Sequence, residues 1–119
     1  LFHKRGALAA AREGDITNPD RNSSGSQFYI VWGKTFTKEE INNITDAIEK
    51  HSNGSITFPE NIKKHYMRYG GTPHLDGSYT VFGEVIKGIE TVNAIQQVDT
   101  DSNDRPLEDI RILSATIKK

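Results

Sequence analysis

The segment over residues 26–32 constrains the fold of this chain more than any other. Its sequence, SQFYIVW, is rich in aromatic and β-branched side chains and follows a loop of serine and glycine, which is typical of a β-strand. Because side chains alternate across a strand, Gln27 and Tyr29 are predicted to share one face, and Phe28 and Ile30 the other. If Phe28 and Ile30 face a core, an amide and an aromatic ring lie together on the outer face. Taken alone, the pattern fits an ordinary strand with an exposed glutamine and tyrosine equally well.

Three other segments have the composition of strands. They lie at residues 6–12, which are small and apolar, at 79–86, and at 110–117, where the alternation leaves the buried face ambiguous. Gly83 lies inside the second of them and predicts either a β-bulge or the tight bend of a barrel.

The stretch over residues 37–70, called the helical insert below, is charged and predicted to form two helices. Thr37 and Glu40 fit a capping box, in which each side chain satisfies a free amide of the first turn. Pro59 suits the first turn of the second helix, which is expected to end near Tyr69, before two glycines. These signals place a helical pair between two strands.

A third helix is predicted over residues 89–98, with three side chains facing inward: Ile89, Val92 and Ile95. The order of elements is then strands, a helical pair, a strand, a helix and a final strand. This order favours a β-rich fold over an alternating α/β fold, and 119 residues suit one domain.

Composition and spacing exclude several functions. With 15 basic and 16 acidic side chains, the net charge of −1 disfavours a surface made for nucleic acid. The absence of cysteine excludes disulfides and thiolate metal sites, and no apolar run is long enough to cross a bilayer. The four histidines lack metal-ligand spacing. The acidic loop after Asp99 fails as a calcium loop, because Asp104 stands where glycine is needed and Ile110 where a bidentate glutamate is needed.

Four motifs follow one another in a specific order. They are RGALAAAR at residues 5–12, SGSQFYI at 24–30, LDGSYTVFGEV at 75–85 and GIETVNAI at 88–95. Together they resemble the cyclophilin-type peptidyl-prolyl cis-trans isomerases, and they cover most of the chain outside the helical insert. The resemblance implies a mainly β fold, the family's eight-stranded antiparallel barrel with flanking helices and a substrate groove on its outer face. The insert suggests a bacterial branch, in the cytoplasm or the periplasm.

The resemblance also implies which residues form the site. Gln27 is expected to point its amide at the substrate, and Tyr29 to form part of the proline pocket where the family usually has phenylalanine. Arg12 is expected to offer its backbone to the bound peptide. The implied substrate-binding residues are Ala11, Arg12, His74, Leu75 and Tyr79. Two of them depart from the pattern, since His74 stands where many members have tryptophan and Tyr79 where many have histidine. These two departures weaken the expectation of cyclosporin binding more than they weaken the expectation of isomerase activity.

The implied activity is rotation about Xaa-Pro peptide bonds, which assists protein folding, with no cofactor and no metal. The implied partners are proline-containing peptides and unfolded proteins. The family's essential arginine belongs to a Phe-His-Arg motif followed by Gln-Gly-Gly. The FHKR sequence at residues 2–5 imitates that motif but leads directly into the first strand. The alternative is therefore a non-catalytic proline-peptide-binding module.

The chain starts at Leu1, without an initiator methionine or a signal segment. We expect residues 1–119 to be a processed or truncated piece, namely the C-terminal part of one cyclophilin-like domain with the helical insert at 37–70. Only the C-terminal strands of the barrel would then be present. Part of a barrel exposes unpaired strand edges, so self-association or strand exchange is expected. The insert itself either docks a partner or is a solvated loop addition.

Overall fold

The computed structural model describes all 119 residues. Three short strands, β1 (Ala7–Ala10), β2 (Phe28–Ile30) and β3 (Val81–Glu84), form one antiparallel sheet in the order β2-β1-β3. Leu8 of the central strand lies opposite Ile30 of β2. These strands lie where the sequence predicts them, although each is shorter than its apolar run.

The pairing of β1 with β3 contains a β-bulge. Leu8 lies opposite Gly83, but the next residue, Ala9, lies opposite Val81, so that Phe82 is the extra residue. A Cβ atom at Gly83 would lie 3.4 Å from the side chain of Leu8, which is close contact. The bulge predicted from Gly83 is confirmed.

Three α-helices and one 3-10 turn complete the fold. The helices are α1 (Lys38–His51), α2 (Glu60–Tyr69) and α3 (Ile89–Gln96), and the 3-10 helix covers Pro73–Leu75. No helix is long and apolar enough to cross a membrane. The three predicted helices are confirmed, with ends within a few residues of those expected.

The first turn of α1 shows how local sequence sets a helix boundary. The Thr37 hydroxyl accepts a hydrogen bond from the Glu40 amide at 3.2 Å, as half of a capping box requires. The Glu40 carboxylate instead pairs with Lys34, at 3.3 Å. At the other end of the helical pair, α2 ends at Gly70, whose φ of +84° favours glycine.

The main hydrophobic core lies in the helical insert and the residues beside it. Its buried side chains are Phe36, Ile41, Phe58 and Tyr66. Partly buried residues surround them: Phe2, Ile44, Ile48, Ile56, Ile62 and Met67. Burying each large apolar side chain stabilises the fold by about 1.5–3 kcal/mol. The buried face of the sheet is lined by much smaller side chains, those of Ala7 and Ala9.

The sheet does not close into a barrel within these residues. On the sheet face opposite Tyr29, Phe28, Ile30 and Phe82 are 53%, 38% and 57% exposed. Phe28 and Ile30 are the side chains expected to face a barrel core, and no element of the chain covers this face. Helices also cover more of the chain than strands do. What is observed is a three-stranded antiparallel sheet with three helices, and the expected mainly β fold is not confirmed.

Two further predictions are wrong. Residues 110–117 form no strand and pair with neither free edge of the open sheet, and Leu113 and Ile117 are almost fully exposed. Helix α3 buries none of its residues, and Ile89 and Ile95 are 38% and 44% exposed rather than inward. In both segments the apolar pattern is present without burial: α3 meets the sheet only partly, with Ile89 near Gly6, and residues 110–117 stay exposed.

Candidate active site

Two tyrosines, one from each side of the central strand β1, form an aromatic wall. Tyr29 lies on β2 and Tyr79 just before β3, and their rings meet edge to face with centroids 6.0 Å apart and an interplanar angle of 82°. The Tyr79 amide donates to the carbonyl of Leu75, at 3.2 Å, which ties the 3-10 helix to this wall. The guanidinium of Arg12 lies 4.5 Å from the centre of the Tyr79 ring. The structure thus brings four of the predicted site residues together.

Arg12 uses its side chain to hold the site rather than to reach outward. Its side chain is only 6% exposed. Its Nε atom donates to the carbonyl of Ser78 at 2.9 Å, and one terminal nitrogen donates to the Asp15 carboxylate at 2.8 Å. Hydrogen bonds from Arg21 and then from Arg12 lower the pKa of Asp15. The main-chain amide and carbonyl of Arg12 make no intramolecular hydrogen bond.

Ala11 and Gln27 extend the strand pairing next to this wall. The Ala11 amide donates to the Gln27 carbonyl at 3.0 Å, and the Ser24 amide donates to the Ala11 carbonyl at 2.8 Å. The Ser24 hydroxyl accepts from the Gln27 amide at 3.1 Å, so the turn before β2 is fixed. The side chain of Gln27 is exposed and makes no hydrogen bond within the chain. Its amide is therefore free to meet a ligand.

His74 is the predicted site residue that the structure leaves apart. It lies on the 3-10 helix beside Leu75, with its side chain exposed. Its ring packs on neither Tyr29 nor Tyr79. The structure gives His74 a place on the rim of the wall and no contact with it.

A buried polar network lies behind the wall, and the sequence analysis did not predict it. His3 is 1% exposed, and its Nε2 atom lies 2.8 Å from the Tyr29 hydroxyl. Its Nδ1 atom lies 2.7 Å from Oδ1 of Asp76, a residue distant in sequence. The hydroxyl of Tyr66 donates to the other oxygen of Asp76. In the sequence, Asp76 lies within the LDGSYTVFGEV motif, which implies a role for Leu75 and Tyr79 but none for Asp76.

The two network tyrosines remain protonated at neutral pH. Burial raises the pKa of Tyr29 to about 12, with smaller contributions from Tyr79 and Asp76. Burial raises the pKa of Tyr66 well above its usual range, and the hydrogen bond to Asp76 adds to that increase. Tyr66 is therefore a hydrogen-bond donor throughout the physiological range.

The arrangement fits the capture of an extended peptide. Tyr29, Leu75 and Tyr79 offer an apolar wall to a side chain, while Arg12 and Gln27 offer unpaired polar groups to a peptide backbone. Fold and site together describe a small antiparallel sheet protein with a surface whose chemistry suits an extended peptide.

Comparison with known proteins identifies the family. The chain belongs to the cyclophilin-type peptidyl-prolyl cis-trans isomerases, because the family model described as cyclophilin type peptidyl-prolyl cis-trans isomerase/CLD matches residues 1–117. The resemblance found in the four ordered motifs is thereby confirmed.

Relatives from several kingdoms carry the same enzyme name. Peptidyl-prolyl cis-trans isomerase CYP18-1 of Arabidopsis thaliana is 32% identical over 107 residues, which are 86% of this chain and 64% of the relative. Peptidyl-prolyl cis-trans isomerase-like 3 of Rattus norvegicus is 33% identical over 122 residues, 98% of this chain and 71% of the relative. A Staphylococcus haemolyticus protein, provisionally named as such an isomerase, is 34% identical over 98% of this chain and 52% of its own length. The chain thus spans about half to two thirds of the length of these curated relatives.

Proposed function

We propose that this chain carries the substrate-binding face of a peptidyl-prolyl cis-trans isomerase, which catalyses rotation about Xaa-Pro bonds and assists protein folding. The observation that carries the proposal is the meeting of Tyr29, Leu75 and Tyr79 beside the unpaired backbone of Arg12. Membership of the family supports the same activity. The substrates are proline-containing peptides and unfolded proteins.

The reaction requires binding rather than bond chemistry. Rotation about a peptide bond is opposed by about 18–20 kcal/mol of amide resonance, and the uncatalysed prolyl reaction takes tens to hundreds of seconds. No covalent bond forms or breaks, so neither a nucleophile nor a cofactor is needed. An isomerase must bind the twisted amide more tightly than either planar form.

The residues divide this task between them. The aromatic wall of Tyr29 and Tyr79, with Leu75, grips the proline ring. The Gln27 amide and the backbone of Arg12 hold the rotating carbonyl and the neighbouring peptide groups. The wall fixes the proline ring while the polar groups follow the carbonyl, so the twisted form gains contacts that the planar forms lack.

Arg5 does not replace the family's essential arginine, which donates to the prolyl nitrogen as that nitrogen loses conjugation. Its Nε atom donates to the Trp32 carbonyl at 3.0 Å, and its guanidinium lies 4.3 Å from the centre of the Trp32 ring. The Arg5 side chain is thus bound to the loop that follows β2. This is the reason for keeping the non-catalytic binding module as an outcome of the test below.

We propose further that residues 1–119 are the C-terminal part of one cyclophilin-like domain, whose remaining strands close the barrel. The uncovered apolar side chains of Phe28, Ile30 and Phe82 support this, because a second layer of the domain would bury them. In the absence of such a layer, the same face favours self-association.

NMR exchange spectroscopy on an Ala-Pro peptide tests the activity. Added chain is expected to accelerate cis-trans exchange, and Gln27→Ala to reduce that acceleration by about 10-fold or more, since a polar contact made in the transition state is lost. Gln97→Ala, which removes an exposed glutamine outside the site, is the matched control. Peptide binding without accelerated exchange would support the non-catalytic module and refute the isomerase.

A further inference from the structure

The buried network joins the aromatic wall to the helical insert. We propose that Tyr66, Asp76 and His3 act as positioning residues for Tyr29. Through them, the helical insert sets the position and orientation of the Tyr29 ring that a bound peptide contacts. This inference rests on the proposed function for its effect on substrate. Its structural part, the coupling of Tyr66 to Tyr29, can be measured without substrate.

The network begins in the core of the insert. Tyr66 lies on α2 and is fully buried. Its ring meets Phe2 and Phe36 edge to face, with centroids 5.3 Å and 6.5 Å away, so the ring is held on two sides. Its hydroxyl donates to Oδ2 of Asp76. The position of Asp76 is thus set by a side chain that the insert core itself fixes.

Asp76 determines which nitrogen of His3 carries hydrogen. Its Oδ1 atom accepts from the backbone amide of His3 at 2.7 Å and lies 2.7 Å from the ring Nδ1 of the same residue. A carboxylate oxygen accepts and cannot donate, so Nδ1 carries a hydrogen. The Tyr29 hydroxyl stays protonated and can donate, so we assign the 2.8 Å contact as a hydrogen bond from Tyr29 to an unprotonated Nε2.

This bond turns the Tyr29 hydroxyl inward. The ring stacks on His3 with centroids 6.0 Å apart and an interplanar angle of 14°, and its other contact is the edge-to-face contact with Tyr79. With its hydroxyl bonded and its ring packed on two neighbours, Tyr29 offers the peptide an apolar ring in one orientation. The network thereby accounts for a tyrosine where the family usually has phenylalanine.

The backbone makes a second connection between the insert and His3. The chain leaving α2 passes directly beside His3, whose carbonyl accepts from the Thr72 amide at 2.9 Å. A Cβ atom on Gly71 would lie 2.3 Å from that carbonyl oxygen and 2.8 Å from the Tyr66 ring. Since α2 and His3 are in such close contact, a displacement of α2 reaches His3 without an intervening gap.

Two tyrosines on α2 provide the test. Tyr66→Phe removes the donor to Asp76, whereas Tyr69→Phe makes the same chemical change on a ring that is 51% exposed and outside the network. We expect Tyr66→Phe to weaken binding of a proline peptide by about three- to tenfold, as the loss of one hydrogen bond implies. Tyr69→Phe is expected to leave it unchanged.

A double-variant comparison separates positioning from plain stabilisation. In a Tyr29→Phe background the network no longer reaches the wall, so Tyr66→Phe should have no further effect on the peptide Kd, although it still lowers the melting temperature. An equal effect on Kd in both backgrounds would overturn the proposal, because Tyr66 would then act through general stability.

NMR of the free chain gives a readout that needs no peptide. Ring ¹⁵N spectra are expected to show His3 with hydrogen on Nδ1, and Tyr66→Phe to shift the ring signals of Tyr29 while Tyr69→Phe does not. Hydrogen on Nε2, or unmoved Tyr29 signals, would refute the network.

If Tyr66→Phe does not fold, Tyr29→Phe tests the same bond, since the Nε2 signal of His3 must then move. A wild-type chain that neither binds nor isomerises the peptide would refute the proposed function, and these spectra would still decide the network.

Discussion

Replacing Gly71 by alanine should destabilise the protein strongly, because the added methyl group would enter the crossing beside α2. That Cβ atom would lie 2.3 Å from the carbonyl oxygen of His3 and 3.0 Å from Cα of Lys4. Both are backbone atoms, so relief requires a shift of the chain rather than of a flexible side chain. The φ angle of +147° adds to the cost for any residue with a side chain.

The magnitude follows from these two causes. An unfavourable backbone conformation costs about 1–3 kcal/mol, and overpacking costs about 1–3 kcal/mol, which together give a loss of about 2–6 kcal/mol. Two glycines provide matched controls. Gly88 has a φ of +88° with no atom within 4 Å of its Cβ position. Gly88→Ala should therefore lose stability only through the unfavourable backbone conformation, without overpacking. Gly25 has neither constraint, and Gly25→Ala should be neutral or slightly stabilising.

Urea denaturation followed by the fluorescence of Trp32, the single tryptophan, measures all three variants. The expected order of unfolding free energy is Gly25→Ala highest, then Gly88→Ala, then Gly71→Ala. Equal losses for Gly71→Ala and Gly88→Ala would refute the reasoning, because the close approach to His3 would then contribute nothing.

Three other predictions concern titration and association. In an alkaline titration followed by tyrosinate absorbance, Tyr29→Phe should remove a step with a pKa of about 12. His65, whose pKa is lowered first by burial and then by Lys4, should titrate below 6.5 in NMR spectra. Its contribution to stability is therefore present above that pH and is lost as the pH falls through the lowered pKa. Phe82→Ser should reduce self-association measured by sedimentation, whereas Leu113→Ser, which changes an exposed apolar residue outside the sheet, should not.

For each of these three predictions, one experimental outcome would contradict it. An unchanged titration at high pH in Tyr29→Phe would mean that its hydroxyl is not buried against His3. A His65 midpoint at or above 6.5 would contradict its contact with Phe2 and Tyr69. Equal self-association of the two serine variants would show that the chain does not associate through the sheet face formed by Phe28, Ile30 and Phe82.

The local elements were predictable from sequence because their causes are local. Thr37 and the glycine pair after Tyr69 set helix ends, and Gly83 marks the bulge, in each case through neighbouring atoms. Burial was not predictable in the same way. Residues 110–117 and helix α3 have apolar patterns, but whether such a pattern is buried depends on a surface elsewhere, and this chain covers α3 only partly and residues 110–117 hardly at all.

The same distinction between local and long-range causes applies to the site. The wall of Tyr29, Leu75 and Tyr79 follows from motifs that the family resemblance places together. The pairing of His3 with Asp76 does not, because the two residues are 73 positions apart and no spacing rule links them. A polar network of this kind depends on three-dimensional proximity, which single-sequence patterns do not encode.

The location of the hydrophobic core has a consequence for the order of folding. The cluster of Phe36, Ile41, Phe58 and Tyr66 joins residues that are near one another in sequence, whereas the pairing of β1 with β3 joins residues from distant parts of the chain. Contacts between nearby residues close with a smaller loss of chain entropy and form sooner. The helical pair is therefore expected to form first, and the sheet with its two tyrosines to assemble against it. A segment that resembles an addition to the family pattern would then be the part on which the rest of this chain depends to fold.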